Sequence, residues 1–177
     1  METITIRDKQ FRLSIESEKI QEAVKNVAEA INRDLAGKDP LFICVLNGAF
    51  MFAADLMKTV NIPCEITFIK LSSYEGLYTT GSVKEVIGLN ESVVGRTIVV
   101  VEDIVDTGIT MDKILASLAA KGAKEVRVAT FLQKPDALQK DITVDYVAMK
   151  IPNDFIVGYG LDYDGYGRNL KDIYTVI

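Results

Sequence analysis

The stretch Val99-Val100-Val101-Glu102-Asp103-Ile104-Val105-Asp106-Thr107-Gly108-Ile109-Thr110 runs from an apolar strand into a helix. The strand, Thr97 to Val101, delivers two adjacent acids at its carboxyl end. A short loop of Asp106, Thr107 and Gly108 then opens a helix that spans Thr110 to Lys121 and stops at Gly122. Backbone N–H groups at a helix start, the positive dipole end and two threonine hydroxyls make a phosphate cradle. Gly108 lets the main chain approach an anion closely. Helix capping accounts for Asp106 or Thr107, but not for three carboxylates within five positions. Those acids suit a ligand with ribose hydroxyls, or one that brings a hard cation such as Mg²⁺. A P-loop is excluded, because the spacing Gly76 to Gly81 is followed by Ser82-Val83 and not by Lys-Ser/Thr. No Gly-x-Gly-x-x-Gly follows a strand, so a dinucleotide fold is not expected.

The pattern on either side repeats the alternation. Residues 4–13 alternate weakly and suggest a hairpin or edge ribbon. Ser17 is placed as an N-cap, with Ile20, Val24, Val27, Ala28, Ile31 and Leu35 at helical spacing and Gly37 as the stop. Strands are predicted at 41–46, 65–71, 83–87, 126–132, 144–149, 155–159 and 173–177, with a helix over 49–59. Strands alternating with helices of about a dozen residues imply βαβ units and a largely parallel sheet, an α/β fold. Ligand sites in such sheets lie beyond the carboxyl ends of the strands, here the loops after 46, 71, 101 and 132. The run Ser72 to Ser82 is polar, glycine-punctuated and aperiodic, as functional or mobile loops are.

The 177 residues contain no repeat or Pro/Ser linker and read as a single domain, 1–177. Lys and Arg total 20 against 25 Asp and Glu, a net charge of −5, which argues against sequence-blind nucleic-acid binding. The absence of histidine removes imidazole bases, His-ligated metals and the Ser-His-Asp triad. The two cysteines cannot by themselves build a thiolate zinc site, and Cys44 in its apolar run reads as a buried, inert thiol. With no signal pattern and no 18-residue apolar stretch, the expectation is a soluble, cytoplasmic protein.

Val99 to Thr110 resembles the phosphoribosyl-pyrophosphate motif of the purine phosphoribosyltransferases. From about residue 10 onward the chain is similar to the 6-oxopurine branch of that family in its short bacterial form. The matches are Leu46-Asn47-Gly48, Ser73-Tyr74, Lys134, the block Ile151-Pro152-Asn153-Asp154-Phe155-Ile156-Val157-Gly158-Tyr159-Gly160-Leu161-Asp162-Tyr163, and Arg168. The resemblance implies a type I phosphoribosyltransferase fold, a twisted, mainly parallel sheet flanked by helices, with a small hood from the N- and C-terminal segments. It also implies transfer of a phosphoribosyl group from phosphoribosyl pyrophosphate to hypoxanthine or guanine, with Mg²⁺, in a homodimer or homotetramer, and with no nucleic-acid or membrane partner.

In such enzymes Glu102 and Asp103 hold the ribose hydroxyls and a Mg²⁺, and Asp106, Thr107, Gly108, Ile109 and Thr110 cradle the 5′-phosphate. Asp106 is also the acid/base for the purine N7 proton. Arg168 and the backbone of Leu46-Asn47-Gly48 bind pyrophosphate, with a cis peptide there. Several relatives have Lys where this chain has Asn47. Lys134 donates to the purine 6-oxo group; an ammonium has donors only, so it reads oxygen and repels the amino group of adenine. Phe155 stacks on the base, Ile156 offers main-chain groups to its edge, and Asp162 lies by the purine and reaches a second Mg²⁺. Ser73 and Tyr74 lie on a lid that excludes water. Without the family, Lys134 reads as a solvated lysine, Phe155, Ile156 and Val157 read as core strand, a simple turn is the plainer alternative for Asn47-Gly48, and the chain is a phosphate-binding α/β domain. Two rivals keep the fold: a xanthine-preferring enzyme, and a non-catalytic regulator that senses phosphoribosyl pyrophosphate while binding RNA or DNA.

Overall fold

Leu41 to Val45 and Thr97 to Val101 are buried at every position, as central strands covered on both faces must be. The computed structural model describes residues 2–73 and 83–177. In chain order they form β1 (Thr3–Ile6), β2 (Lys9–Ile15), α1 (Ser17–Asp34), β3 (Leu41–Leu46), α2 (Phe50–Thr59), β4 (Glu65–Ser73) and β5 (Val83–Ile87). Then come β6 (Thr97–Val105), α3 (Ile109–Ala120), β7 (Glu125–Gln133), a 3₁₀ turn at Pro135–Ala137, β8 (Tyr146–Lys150), β9 (Ile156–Val157) and β10 (Ile173–Val176).

The main sheet has the order β5-β4-β3-β6-β7-β8. Five of its strands are mutually parallel, and β5 pairs antiparallel to β4 at the edge. Alternate residues of the buried runs feed two cores. Phe42, Cys44, Val99 and Val101 pack with α1 and α2. Leu41, Ile43, Val45, Ile98 and Val100 pack with Met111, Ile114 and Leu118 of α3. The expected α/β sheet with helices on both faces is present.

The two chain ends meet in a second sheet, β1-β2-β10-β9, antiparallel throughout, with its own core of Phe11, Val157 and Tyr174. This is the small hood.

Several boundaries differ from the sequence reading. The strand expected to end at Val101 runs on to Val105, so Glu102 and Asp103 lie within β6. The reason is in the pairing: β7 follows β6 as far as Val105↔Gln133, whereas β3 follows it only to Cys44↔Val101. Beyond Val101 the β3 side of β6 is an open edge, and the site forms there. The strand expected over 155–159 is two residues long, because Gly158 (φ 109°), Tyr159 (φ 45°) and Gly160 (φ 98°) turn the chain away. Gly108, at φ 81°, occupies the cap of α3 in place of Asp106 or Thr107. At α1 the cap position is Glu16, and the N–H of Ser17 donates to the Asp172 carboxylate at 2.7 Å. That cap arrives from 155 residues away and leaves no local signature.

Candidate active site at the carboxyl ends of the parallel strands

Glu102 and Asp103 form the floor. Glu102 is 8% exposed. Its Oε1 accepts the N–H of Asp103 at 3.2 Å, and Asp103 Oδ1 accepts the N–H of Ile104 at 2.7 Å. Burial raises the pKa of both carboxyls. Glu102 is raised further by the charge of Asp103 and by sharing a side-chain hydrogen bond with it. For Asp103, that shared bond, backbone N–H donors and the Arg168 charge oppose burial without cancelling it.

The loop after β3 is pressed onto this pair. The Leu46–Asn47 peptide is cis, as the resemblance implies. Gly48 lies so close to Asp103 that a Cβ there would overlap the Asp103 carboxylate, so only glycine fits. The Gly48 carbonyl in turn leaves no room for a Cβ on Gly160. Gly160 donates its N–H to Arg168 O at 2.9 Å, and its own carbonyl accepts Arg168 Nη1 at 2.7 Å. Arg168 Nη2 pairs with Asp162 Oδ1 at 3.0 Å, and Asp162 Oδ2 accepts the N–H of Gly165 at 2.8 Å. Leu46-Asn47-Gly48, Asp103, Asp162 and Arg168 are therefore one connected group.

The segment expected to cradle a phosphate adjoins it. A cavity of about 90 Å³ is lined by Glu102, Ile104, Val105, Asp106, Thr107, Gly108, Thr110 and Met111. The first N–H groups of α3 have no partner within the helix. Asp106, Ile109 and Thr110 are exposed, and Thr107 is half-buried with its Oγ1 accepting the N–H of Ile109 at 3.4 Å. The connection after β7 closes over one side, with Gln139 N–H donating to Thr107 O at 2.9 Å and Leu138 and Ile142 packed at Gly108.

Lys134 is tied to the same strand end through its N–H to Val105 O at 3.0 Å, and its side chain is half-buried. Phe155 projects from the hood, 47% exposed, with its ring 6.3 Å from Phe11 and edge-on to Tyr163 at 5.8 Å. The ring is held by two aromatic neighbours and remains nearly half exposed. The side chain of Ile156 is buried in the main core, so only its main chain is available to a ligand. Ser73 closes β4, whereas Tyr74 and the rest of the lid expectation, 74–82, lie outside the described residues. Cys44 is buried, and burial together with the charges of Glu102 and Asp103 pushes its thiol to about 12, an inert group as expected.

Glu102 and Asp103 fit a hard divalent cation. They are neighbouring oxygen donors, the Asp103 charge raises the Glu102 carboxyl and a cation would offset it, and Mg²⁺ is commonly held by one or two carboxylates plus substrate phosphates and water. No cluster of three such ligands occurs among the described residues, so the third acid, Asp162, stands apart with Arg168.

Sequence reasoning missed Tyr159, Asp55 and Gln21, which join the hood to α2 and α1. Tyr159 Oη donates to Asp55 Oδ2 at 2.6 Å, and Gln21 donates to the same oxygen at 2.9 Å. The glycines on both sides of Tyr159 were the only available signal.

Residues 14–164 match the family described as the phosphoribosyl transferase domain. The hypoxanthine-guanine phosphoribosyltransferase of Aquifex aeolicus is 36% identical over 173 residues, 97% of each chain. The protein of the same name from Streptococcus thermophilus is 38% identical over 160 residues, 90% of this chain and 89% of its own. A hypoxanthine-guanine phosphoribosyltransferase crystal structure from Bacillus anthracis superposes with a TM-score of 0.88 at 38% identity, covering 94% of this chain and 96% of that one.

Proposed function

Since the chain belongs to the phosphoribosyl transferase family, among the hypoxanthine-guanine phosphoribosyltransferases, we propose that it works in purine salvage. It transfers the 5-phosphoribosyl group from phosphoribosyl pyrophosphate to N9 of hypoxanthine or guanine, giving IMP or GMP and pyrophosphate. The observation that carries this reading is the group Gly48–Asp103–Arg168 set beside the helix-start cradle, on a chain that aligns with such enzymes almost end to end.

The C1–N9 bond forms as the C1–oxygen bond to pyrophosphate breaks, through an oxocarbenium-like centre that needs no enzyme nucleophile. A chain without histidine and with an inert Cys44 is suited to that. Its residues supply positioning and charge. The start of α3 and Thr107 and Thr110 bind the 5′-phosphate. Glu102 and Asp103 bind the ribose hydroxyls. Arg168 and the Leu46-Asn47-Gly48 backbone hold pyrophosphate, and the guanidinium stands where negative charge grows as that group leaves. Asp106, exposed at the cavity mouth, takes the N7 proton. Lys134 donates to the 6-oxo group, and Phe155 stacks on the base. Mg²⁺, held by Glu102 and Asp103, supplies charge neutralisation to the pyrophosphate when bound. Asp162 orients Arg168 and offers a further carboxylate on the pyrophosphate side.

Exposed Ile66 and Phe68 lie on the sheet face that carries Phe42 and Cys44, and they offer an apolar surface to a second copy in a homodimer or homotetramer. Among the described residues no helix is long and apolar enough to cross a membrane, and both cysteines are free, which suits a reducing cytoplasm.

Nucleotide formation from phosphoribosyl pyrophosphate, with hypoxanthine, guanine, xanthine or adenine offered separately, with Mg²⁺ and with chelator, tests the reading. Turnover with the first two bases, little with adenine and loss with chelator are expected. Faster turnover with xanthine would move the assignment to the xanthine enzymes, and turnover undiminished by chelator would remove the metal.

A further inference from the structure

Tyr159 is 2% exposed and adopts φ 45°, a conformation that side-chain-bearing residues take at a cost, between two glycines of positive φ. Its ring packs on Phe131 with centroids 4.7 Å apart, and Phe131 packs on Phe52 of α2 at 5.8 Å. Its hydroxyl reaches 2.6 Å to Asp55, on the second turn of α2. Asp55 also accepts from Gln21 of α1 at 2.9 Å and from Lys58 at 3.3 Å. The next residue, Gly160, touches the Gly48 carbonyl and holds Arg168 through both of its backbone groups. Two consecutive residues thus grip α2 at its middle, the loop that leads into α2, and Arg168.

We propose that Tyr159 and Asp55 are a positioning pair that sets the spacing between the Leu46-Asn47-Gly48 loop and Arg168, and so governs the pyrophosphate side of the site. This rests on the transferase reading above. Neither side chain touches the cavity of the phosphate cradle. Their effect passes through Gly160, which lies too close to the Gly48 carbonyl to admit a Cβ and bonds Arg168 through its N–H and its carbonyl. The Phe155 ring is supported from elsewhere, by Tyr163, whose hydroxyl donates to Asp8 at 2.7 Å, and by Phe11. The pair should therefore act on phosphoribosyl pyrophosphate and not on the base.

The alternative is that Tyr159 is a core aromatic whose hydroxyl is merely satisfied. Tyr159→Phe separates the two, because the ring and its packing stay and only the bond to Asp55 goes. Initial rates of wild type, Tyr159→Phe, Asp55→Ala and Asp55→Asn are measured over both substrates, with melting temperatures alongside. Expected for Tyr159→Phe and Asp55→Ala is a rise of about tenfold in KM for phosphoribosyl pyrophosphate, the size of effect a lost bond to a charged group produces. KM for hypoxanthine stays within about twofold of wild type, and Asp55→Asn, whose amide oxygen still accepts the hydroxyl, recovers most of the loss. A lower melting temperature with both KM values unchanged, or with both raised equally, overturns the proposal. If Tyr159→Phe does not fold, the contrast between Asp55→Ala and Asp55→Asn decides it in the same way. A wild-type chain that turns over no base removes the transferase reading and this inference with it, an outcome distinct from an active wild type with indifferent variants.

Discussion

Gly48→Ala isolates the contact on which the site's geometry depends. A Cβ at this position would fall within the Asp103 carboxylate, close also to its Cγ and, at 3.2 Å, to its Cβ. Clearing the clash takes a change in Asp103 χ1 that swings Cγ and the carboxylate away together, and that gives up the bond from the Ile104 N–H to Oδ1 at 2.7 Å. On its other side the loop meets Gly160, which the Gly48 carbonyl approaches too closely to admit a Cβ. Restoring ordinary van der Waals separation takes a displacement of roughly 2 Å, shared between loop and acid. A misplacement of about 1 Å at a reacting centre costs about a hundredfold, near 2.7 kcal/mol in transition-state binding. We expect Gly48→Ala to lower kcat/KM for phosphoribosyl pyrophosphate about a hundredfold or more on this basis. Initial rates over both substrates, with circular dichroism to confirm folding, measure this. Gly95→Ala is the control: nothing lies within 4 Å of its added Cβ, but φ is 69°, so it should cost about 1 kcal/mol of stability and no activity. A folded Gly48→Ala variant within about threefold of wild type would refute the reasoning, since the contact would then not set the site.

Three further outcomes follow from other parts of the structure. Lys134→Ala should lower kcat/KM for hypoxanthine about a hundredfold and narrow the margin over adenine, read from the ratio of the two rates, because the 6-oxo group loses its donor. Asp172→Ala removes the distant cap of α1 and should cost about 1 kcal/mol, a fall of a few degrees in melting temperature, with both KM values unchanged. Burial would raise the pKa of Asp55, but bonds from Tyr159, Gln21 and Lys58 outweigh it and hold the pKa below its usual 3.8. A depressed native pKa stabilises the fold above the unfolded-state value, so the advantage of wild type over Asp55→Asn in urea titrations should shrink as pH falls through the native pKa.

Much of this architecture was legible in the residues. Short apolar, β-branched runs such as Leu41 to Val45 and Ile98 to Val101 read as interior strands, and the acids and glycine that follow the second run read as a ligand end. The boundaries that moved did so for tertiary reasons. Glu102 to Val105 stay extended because β7 continues beside them after β3 has left. Asp172 caps α1 and Tyr159 bonds Asp55 across separations of 155 and 104 residues, which no local pattern encodes. The residues proposed to bear the chemistry sit at strand and helix ends and have signatures. The residues that hold those ends together do not, because a tyrosine in an apolar block reads as core whether or not its hydroxyl has a task.

The most direct test is pyrophosphate release from phosphoribosyl pyrophosphate and hypoxanthine with Mg²⁺, with wild type and Asp106→Asn run side by side. Wild type should release pyrophosphate in step with IMP, and Asp106→Asn should be slower by roughly 10² or more while still binding the sugar phosphate. Binding of phosphoribosyl pyrophosphate by wild type with no pyrophosphate released on any base would contradict the enzyme reading and leave a chain that only senses its ligand.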